Sequence, residues 1–173
     1  LDYSFIAVNH TAGVNYIDAI AVDTASNADT VSFAIMLNPA VTNALLPAGL
    51  EHGINYIDNN TVTLALYAPF KNFVYVLGDF NDWKVDTSYF MKRHQQTSDS
   101  TIWWLTIDGL TPSQEYIFQY LVDGNIRIAD PYSEKVSDPW NDQNISSTTY
   151  PDLIAYPTGK TEQPATVIQT AQQ

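Results

Sequence analysis

The chain has no cysteine among its 173 residues. Thiol catalysis, disulfide staples and cysteine-based zinc sites are excluded at once. Positive charge is scarce: Lys and Arg number 7 against 19 Asp and Glu, a formal net charge of −12. A surface this acidic repels phosphate backbones, so nucleic acid is not expected as a partner, while neutral ligands such as sugars are compatible with it. No apolar run approaches the ~20 residues of a membrane-spanning helix, and no membrane partner is expected. His10, His52 and His94 are scattered without zinc-ligand spacing. Asp79-Phe80-Asn81-Asp82 offers oxygen ligands but lacks the glycine and terminal glutamate of a calcium loop. There is no Gly-x-Ser-x-Gly elbow and no phosphate loop, so neither a metal nor a cofactor is expected. The chain starts with Leu and shows no signal peptide, and it reads as a piece of a longer protein.

What is present is alternation by two. Hydrophobic residues make up 45% and aromatics 13%, enough for a real core, and no segment sustains a helical period. Asn15–Val22 and Asp29–Leu37 read as paired strands around the turn-like residues 23–28, with Tyr3–Val8 as a possible third. A closed sandwich takes about seven strands, so residues 1–40 are expected to be the last strands of a partial immunoglobulin-like domain. Asn38-Pro39 and Pro47-Ala48-Gly49 break the pattern, and residues 41–52 read as a linker. From Gly53 short strands recur: Thr61–Tyr67, Phe73–Leu77, a weaker Thr87–Met91, Ile102–Ile107 and Glu115–Val122. The Asp123-Gly124-Asn125 turn into Ile126-Arg127-Ile128 signals a hairpin. The fold class is therefore all-β, with a sandwich over residues 53–150. Residues 151–173, rich in proline, read as a linker, with a possible short strand at Thr166-Val167-Ile168.

The stretch Gly78-Asp79-Phe80-Asn81-Asp82-Trp83 ends an apolar strand by carrying a tryptophan into a polar turn. Two readings stand side by side. An exposed indole flanked by Asn81, Asp82 and Lys84 can cover the apolar face of a sugar while the polar groups satisfy its hydroxyls. Alternatively, Trp83 folds back and caps the sandwich, as large aromatics usually do.

Four motifs in order, GDFNDW, WWLTIDGL, EYIFQYLVDG and IADPYSEKVSDPW, resemble carbohydrate-binding module family 48 over residues 55–140. This is the early-set, isoamylase-N-terminal-like immunoglobulin fold that precedes the barrel of many α-amylase-family (family 13) glycoside hydrolases. The stretches Gly53–Asp58 and Tyr156–Glu162 look like the Bacteroidetes amylase-type members. The resemblance implies a non-catalytic module of an enzyme acting on α-glucans, secreted or in the cell envelope. It places the sugar-stacking tryptophan at Trp83, beside Asn81, with Gln119 where the family has a lysine and Ile126 where it has a second tryptophan. It also implies that Trp103, Leu105 and Ile107 face inward with Tyr116, Phe118, Tyr120 and Val122 of a neighbouring strand. Ile102, Trp104, Ile117 and Leu121 would then form an outward apolar patch around Gln119, a candidate surface for docking the catalytic barrel. Asp130-Pro131-Tyr132 and Asp138-Pro139-Trp140 read as loop anchors. The unpaired edges of the strands in 1–40 leave dimerisation of the isolated chain open. An unrelated immunoglobulin-like surface or adhesion domain is the alternative.

Overall fold

The computed structural model describes residues 11–22 and 24–172. It divides into two units, residues 1–40 and 41–173. The possible strand at Tyr3–Val8 lies outside the described residues.

In the first unit, β1 (Gly13–Val22) and β2 (Ala28–Leu37) form an antiparallel hairpin, with Gly13 opposite Leu37 and Val22 opposite Ala28. Val14, Ile20 and Val31 are exposed on it.

The second unit is a sandwich of two antiparallel sheets. One has the order β3-β4-β7-β6: β3 (Gly53–Tyr56), β4 (Val62–Tyr67), β7 (Ser100–Ile107) and β6 (Lys92–Thr97). The other runs β10-β11-β8-β5: β10 (Val136–Ser137), β11 (Ala165–Gln169), β8 (Glu115–Val122) and β5 (Val74–Gly78). The short β9 (Ile126–Ile128) shares an edge of β8 with β11: Ile126 pairs with Val122, while Gln169 pairs with Glu115. Alternation sorts the side chains. Val62, Leu64 and Leu66, Val74 and Val76, Trp103, Leu105 and Ile107, and Phe118, Tyr120 and Val122 all enter one core. Trp103 satisfies its indole N–H on the Ala68 carbonyl at 3.0 Å.

Several expectations are corrected here. Residues 41–52 are not a free linker, because the 41–46 stretch pairs with β6. Arg93 N donates to Thr42 O at 2.9 Å and Ala44 N donates to Arg93 O at 3.0 Å. Residues 151–173 are not an exit linker, since they carry β11, which fills an interior position of the second sheet. Thr87–Tyr89 is a 3₁₀ turn rather than a strand, capped by the Asp86 carboxylate accepting from Ser88 N. Most consequential, β7 and β8 are not neighbours but lie in opposite sheets. Ile102 and Trp104 therefore cannot join Ile117 and Leu121 in one outward patch.

Candidate functional site

The turn after β5 is built around its glycine. A Cβ on Gly78 would lie 2.6 Å from the Ile117 carbonyl oxygen and 2.8 Å from the Phe118 Cβ, so only glycine lets β5 approach β8 here. The chain then makes one 3₁₀ turn, Asp79–Asn81, followed by Asp82 and Trp83 in the left-handed region at φ 54° and 59°. Two consecutive non-glycine residues there are costly and must be held by the surroundings. Asn81 supplies part of the hold: its Oδ1 accepts from Gly78 N at 2.9 Å and its Nδ2 donates to Val76 O at 2.8 Å. Asp79 supplies the rest. One carboxylate oxygen accepts from Ile117 N at 2.7 Å and the other from the Trp83 indole at 2.9 Å.

Trp83 is consequently only 8% exposed. The folded-back reading describes it, and the open stacking platform is corrected. Its flank is ionic: Asp82 pairs with Lys84 at 2.7 Å and Lys160 at 3.1 Å, and the hydrogen bond from Lys84 and then that from Lys160 hold the Asp82 carboxyl below its ordinary value. Asn81 spends both ends of its amide on the backbone. Gln119 is fully buried, its Nε2 donating to the carbonyls of Gln163 (3.1 Å) and Pro164 (2.8 Å), while its Oε1 has no partner. Residues 163–164 thus lie over the position at which the resemblance placed a sugar contact.

The expected docking patch is closed in the same way. Trp104 donates its indole N–H to Ala44 O at 3.1 Å and carries the Lys92 ammonium 4.5 Å from its ring centre. The 41–46 stretch and Lys92 cover it. Ile117 and Leu121 are buried in the other sheet, and of the four only Ile102 is more than marginally exposed.

The open aromatic surface lies elsewhere. A cleft of about 1190 Å³ runs along the end of β9, between the loop at 139–140 and the strap at 156–163. Trp140, 56% exposed, lines it with Ile126, Arg127, Tyr156, Lys160 and Glu162. The strap is fastened by Arg127 Nη1 on Lys160 O at 2.7 Å and by the Tyr156 hydroxyl on Gln163 O at 2.9 Å. Trp140 is held by the turn before it. The Asp138 carboxylate accepts from Trp140 N at 2.8 Å and from Asn141 Nδ2 at 2.7 Å, while Asp138 N donates to the Asp142 carboxylate at 2.9 Å. The Asn141 amide, and after it the Trp140 N–H, keep the Asp138 carboxyl below its ordinary value.

An exposed indole next to a phenol, two cations and a carboxylate can stack on an apolar ring face and bond the hydroxyls around it. The sequence alone marks Trp140 only as a loop anchor and gives Tyr156, Arg127 and Lys160 no role at a site. The available signal was an aromatic directly after proline in an Asp-Pro turn, which projects a side chain from a stiffened loop. Among the described residues no cluster of metal-ligating side chains occurs.

The chain is similar to several known proteins. Two 1,4-alpha-glucan branching enzymes from two strains of Clostridium perfringens are 32% and 33% identical over a 99-residue alignment that covers 50% of this chain. The alignment takes in only 15% and 14% of those enzymes, so the chain spans a small part of their length. Among solved structures, the catalytic module of the glycogen-degrading pneumococcal virulence factor SpuA aligns at 24% identity and a TM-score of 0.39, covering 58% of this chain and 15% of that one. Pullulanase from Bacillus acidopullulyticus aligns at 20% identity and a TM-score of 0.35, over 68% and 17%. The model of carbohydrate-binding module 48 (isoamylase N-terminal domain) matches residues 51–140, more than half of the chain, and the chain belongs to that family.

Proposed function

We propose that the chain is a non-catalytic accessory region of an α-glucan-active enzyme, and that it holds glucan in the cleft at Trp140. Family membership and the α-glucan-branching relatives support the substrate class. The observation that carries the site is Trp140 itself: an indole more than half exposed on a turn locked by Asp138, beside Tyr156 and Ile126. Trp83 and Gln119 act beneath it, one capping the sheet and the other fastening the strap. Packing of the region on its parent's catalytic domain belongs to the same proposal, as does the family 13 character of that parent.

The four tryptophans are 83, 103, 104 and 140, and only the last is open to a ligand. Titration with maltoheptaose and β-cyclodextrin, followed by tryptophan fluorescence, therefore reports on this cleft. A saturable change that disappears in Trp140→Ala, with the unfolding transition unmoved, is the expected result. No change with either sugar sinks the binding role and favours an immunoglobulin-like surface domain without glucan affinity.

A further inference from the structure

The Asp130-Pro131-Tyr132 turn is tied down more firmly than a surface loop needs. Asp130 is buried. Its carboxylate accepts from the Tyr120 hydroxyl and from Tyr132 N, each at 2.7 Å, and its own N–H donates to Thr166 Oγ1 at 2.7 Å. Tyr132 then packs its Cβ directly on Gly53, where a side chain would come within 2.7 Å of it. Such anchoring normally leads a ring inward, yet the Tyr132 side chain stays 58% exposed.

It lines a hollow of about 240 Å³ at the seam where β3 faces β8 and β11. Tyr56, exposed like Tyr132, lines it too, with Gln169 beside it. The less exposed members are Lys135 and Glu115, an ion pair whose ammonium also reaches the Tyr150 hydroxyl at 3.2 Å. Glu134, Gln169 and Gln172 complete the polar lining, with Gln172 Nε2 donating to Gln169 Oε1 at 2.9 Å. This hollow is remote from the Trp140 cleft. Glu115 lines one and Val122, at the other end of β8, pairs with the Ile126 that lines the other. Seven residue steps of extended strand separate those ends by about 23 Å.

Its chemistry selects a ligand class. Lys135 is already neutralised by Glu115, so nothing draws an anion into a chain of net charge −12. The volume lies below the roughly 300 Å³ at which drug-sized pockets begin, so it suits one ring rather than a run of them. Two phenol rings offer apolar surface, and a carboxylate and an amide offer hydroxyl partners.

We infer that this hollow is a second carbohydrate site, taking a single pyranose unit of a neutral glucan against Tyr132 and Tyr56, with Glu134 and Gln172 bonding its hydroxyls. Only the choice of glucan rests on the proposed function; the ring-sized polar hollow stands apart from it. The test is an amide-resolved NMR titration of the chain with maltose. Residues 54–56 and 132–135 shift saturably, separately from 126–127, 140 and 156–163. Tyr132→Ala abolishes the first set and leaves the second. Glu134→Gln, a change at an exposed carboxylate, weakens the first set several-fold and decides the matter where Tyr132→Ala misfolds; Gln172→Ala, which also gives up the bond to Gln169 Oε1, weakens it likewise. Absence of saturable shifts at 54–56 and 132–135, or shifts indifferent to all three substitutions, overturns the inference whatever the Trp140 cleft does. Shifts at the first set with a silent Trp140 cleft uphold it while removing the proposed function.

Discussion

Trp83 and Trp140 make an instructive pair. Each lies in a turn that begins with Asp just after a strand, and each has an Asp and an Asn within two residues of it. One is a structural cap and the other an open surface. The difference lies in which group the preceding aspartate holds. Asp79 accepts from the Trp83 indole itself and from Ile117 of β8, so the ring is drawn onto the sheet. Asp138 accepts from the main-chain N–H of Trp140 and from Asn141, so the backbone is fixed and the ring is left outside. The same residue types in similar turns thus make a keystone in one place and a platform in the other.

The comparison can be broken at either end. Trp83→Ala has the largest expected effect: loss of a buried indole and its hydrogen bond costs about 3–5 kcal/mol. Trp140→Ala stays within about 0.5 kcal/mol of the parent in the same urea unfolding experiment. Equal losses from the two would mean that the rings are not differently buried. Gly78→Ala comes next. Its backbone is extended, so conformation is not the obstacle; the new methyl meets the Ile117 carbonyl at 2.6 Å, and overpacking of this kind costs about 1–3 kcal/mol. Stability unchanged within error would show that β5 can move away from β8.

Gln119→Leu sharpens the account of the strap. It gives up two bonds to the 163–164 carbonyls but also removes an orphaned buried oxygen, so a net loss of about 1 kcal/mol is expected. Faster proteolysis within 156–164 would accompany it, and an unaltered cleavage pattern would mean the strap is held without Gln119. The smallest effect is on pH dependence. Asp138 has its folded pKa lowered, so its contribution is complete above the unfolded value near 3.8 and is lost as pH falls through the folded one. Glucan affinity at Trp140 should be level through neutral pH and decline only in acid below that value. Asp138→Asn should weaken binding at neutral pH and flatten the acid limb; an acid limb identical to the parent's would assign it to another group.

Much of the sandwich was legible. Strands β4, β5, β7, β8 and β9 fall where the alternation and turn residues put them, because successive strand side chains point to opposite faces and Asp-Gly or proline breaks end each run. Alternation groups Trp103-Leu105-Ile107 and Phe118-Tyr120-Val122 on common faces; that these faces are the inward ones is what the family resemblance implied, and they enter the core. What could not be read was the cover over the outer faces. Trp104 is roofed by Ala44, 60 residues away, and Gln119 by Gln163, 44 residues away. Neither covering stretch carries a strong local pattern of its own. Both read as linkers because proline or Pro-Ala-Gly breaks interrupt the alternation there, although their backbones pair with β6 or lead into β11.

The residues alone determined that this chain is all-β, acidic, thiol-free and built of motifs in a recognisable order, since each of those is a matter of composition or short-range periodicity. Only the tertiary structure decided which tryptophan is open to solvent and which strands are neighbours. Periodicity tells which side of a strand a residue occupies. What lies against that side depends on long-range pairing and on single hydrogen bonds, such as Asp79 to the Trp83 indole, that no local spacing encodes.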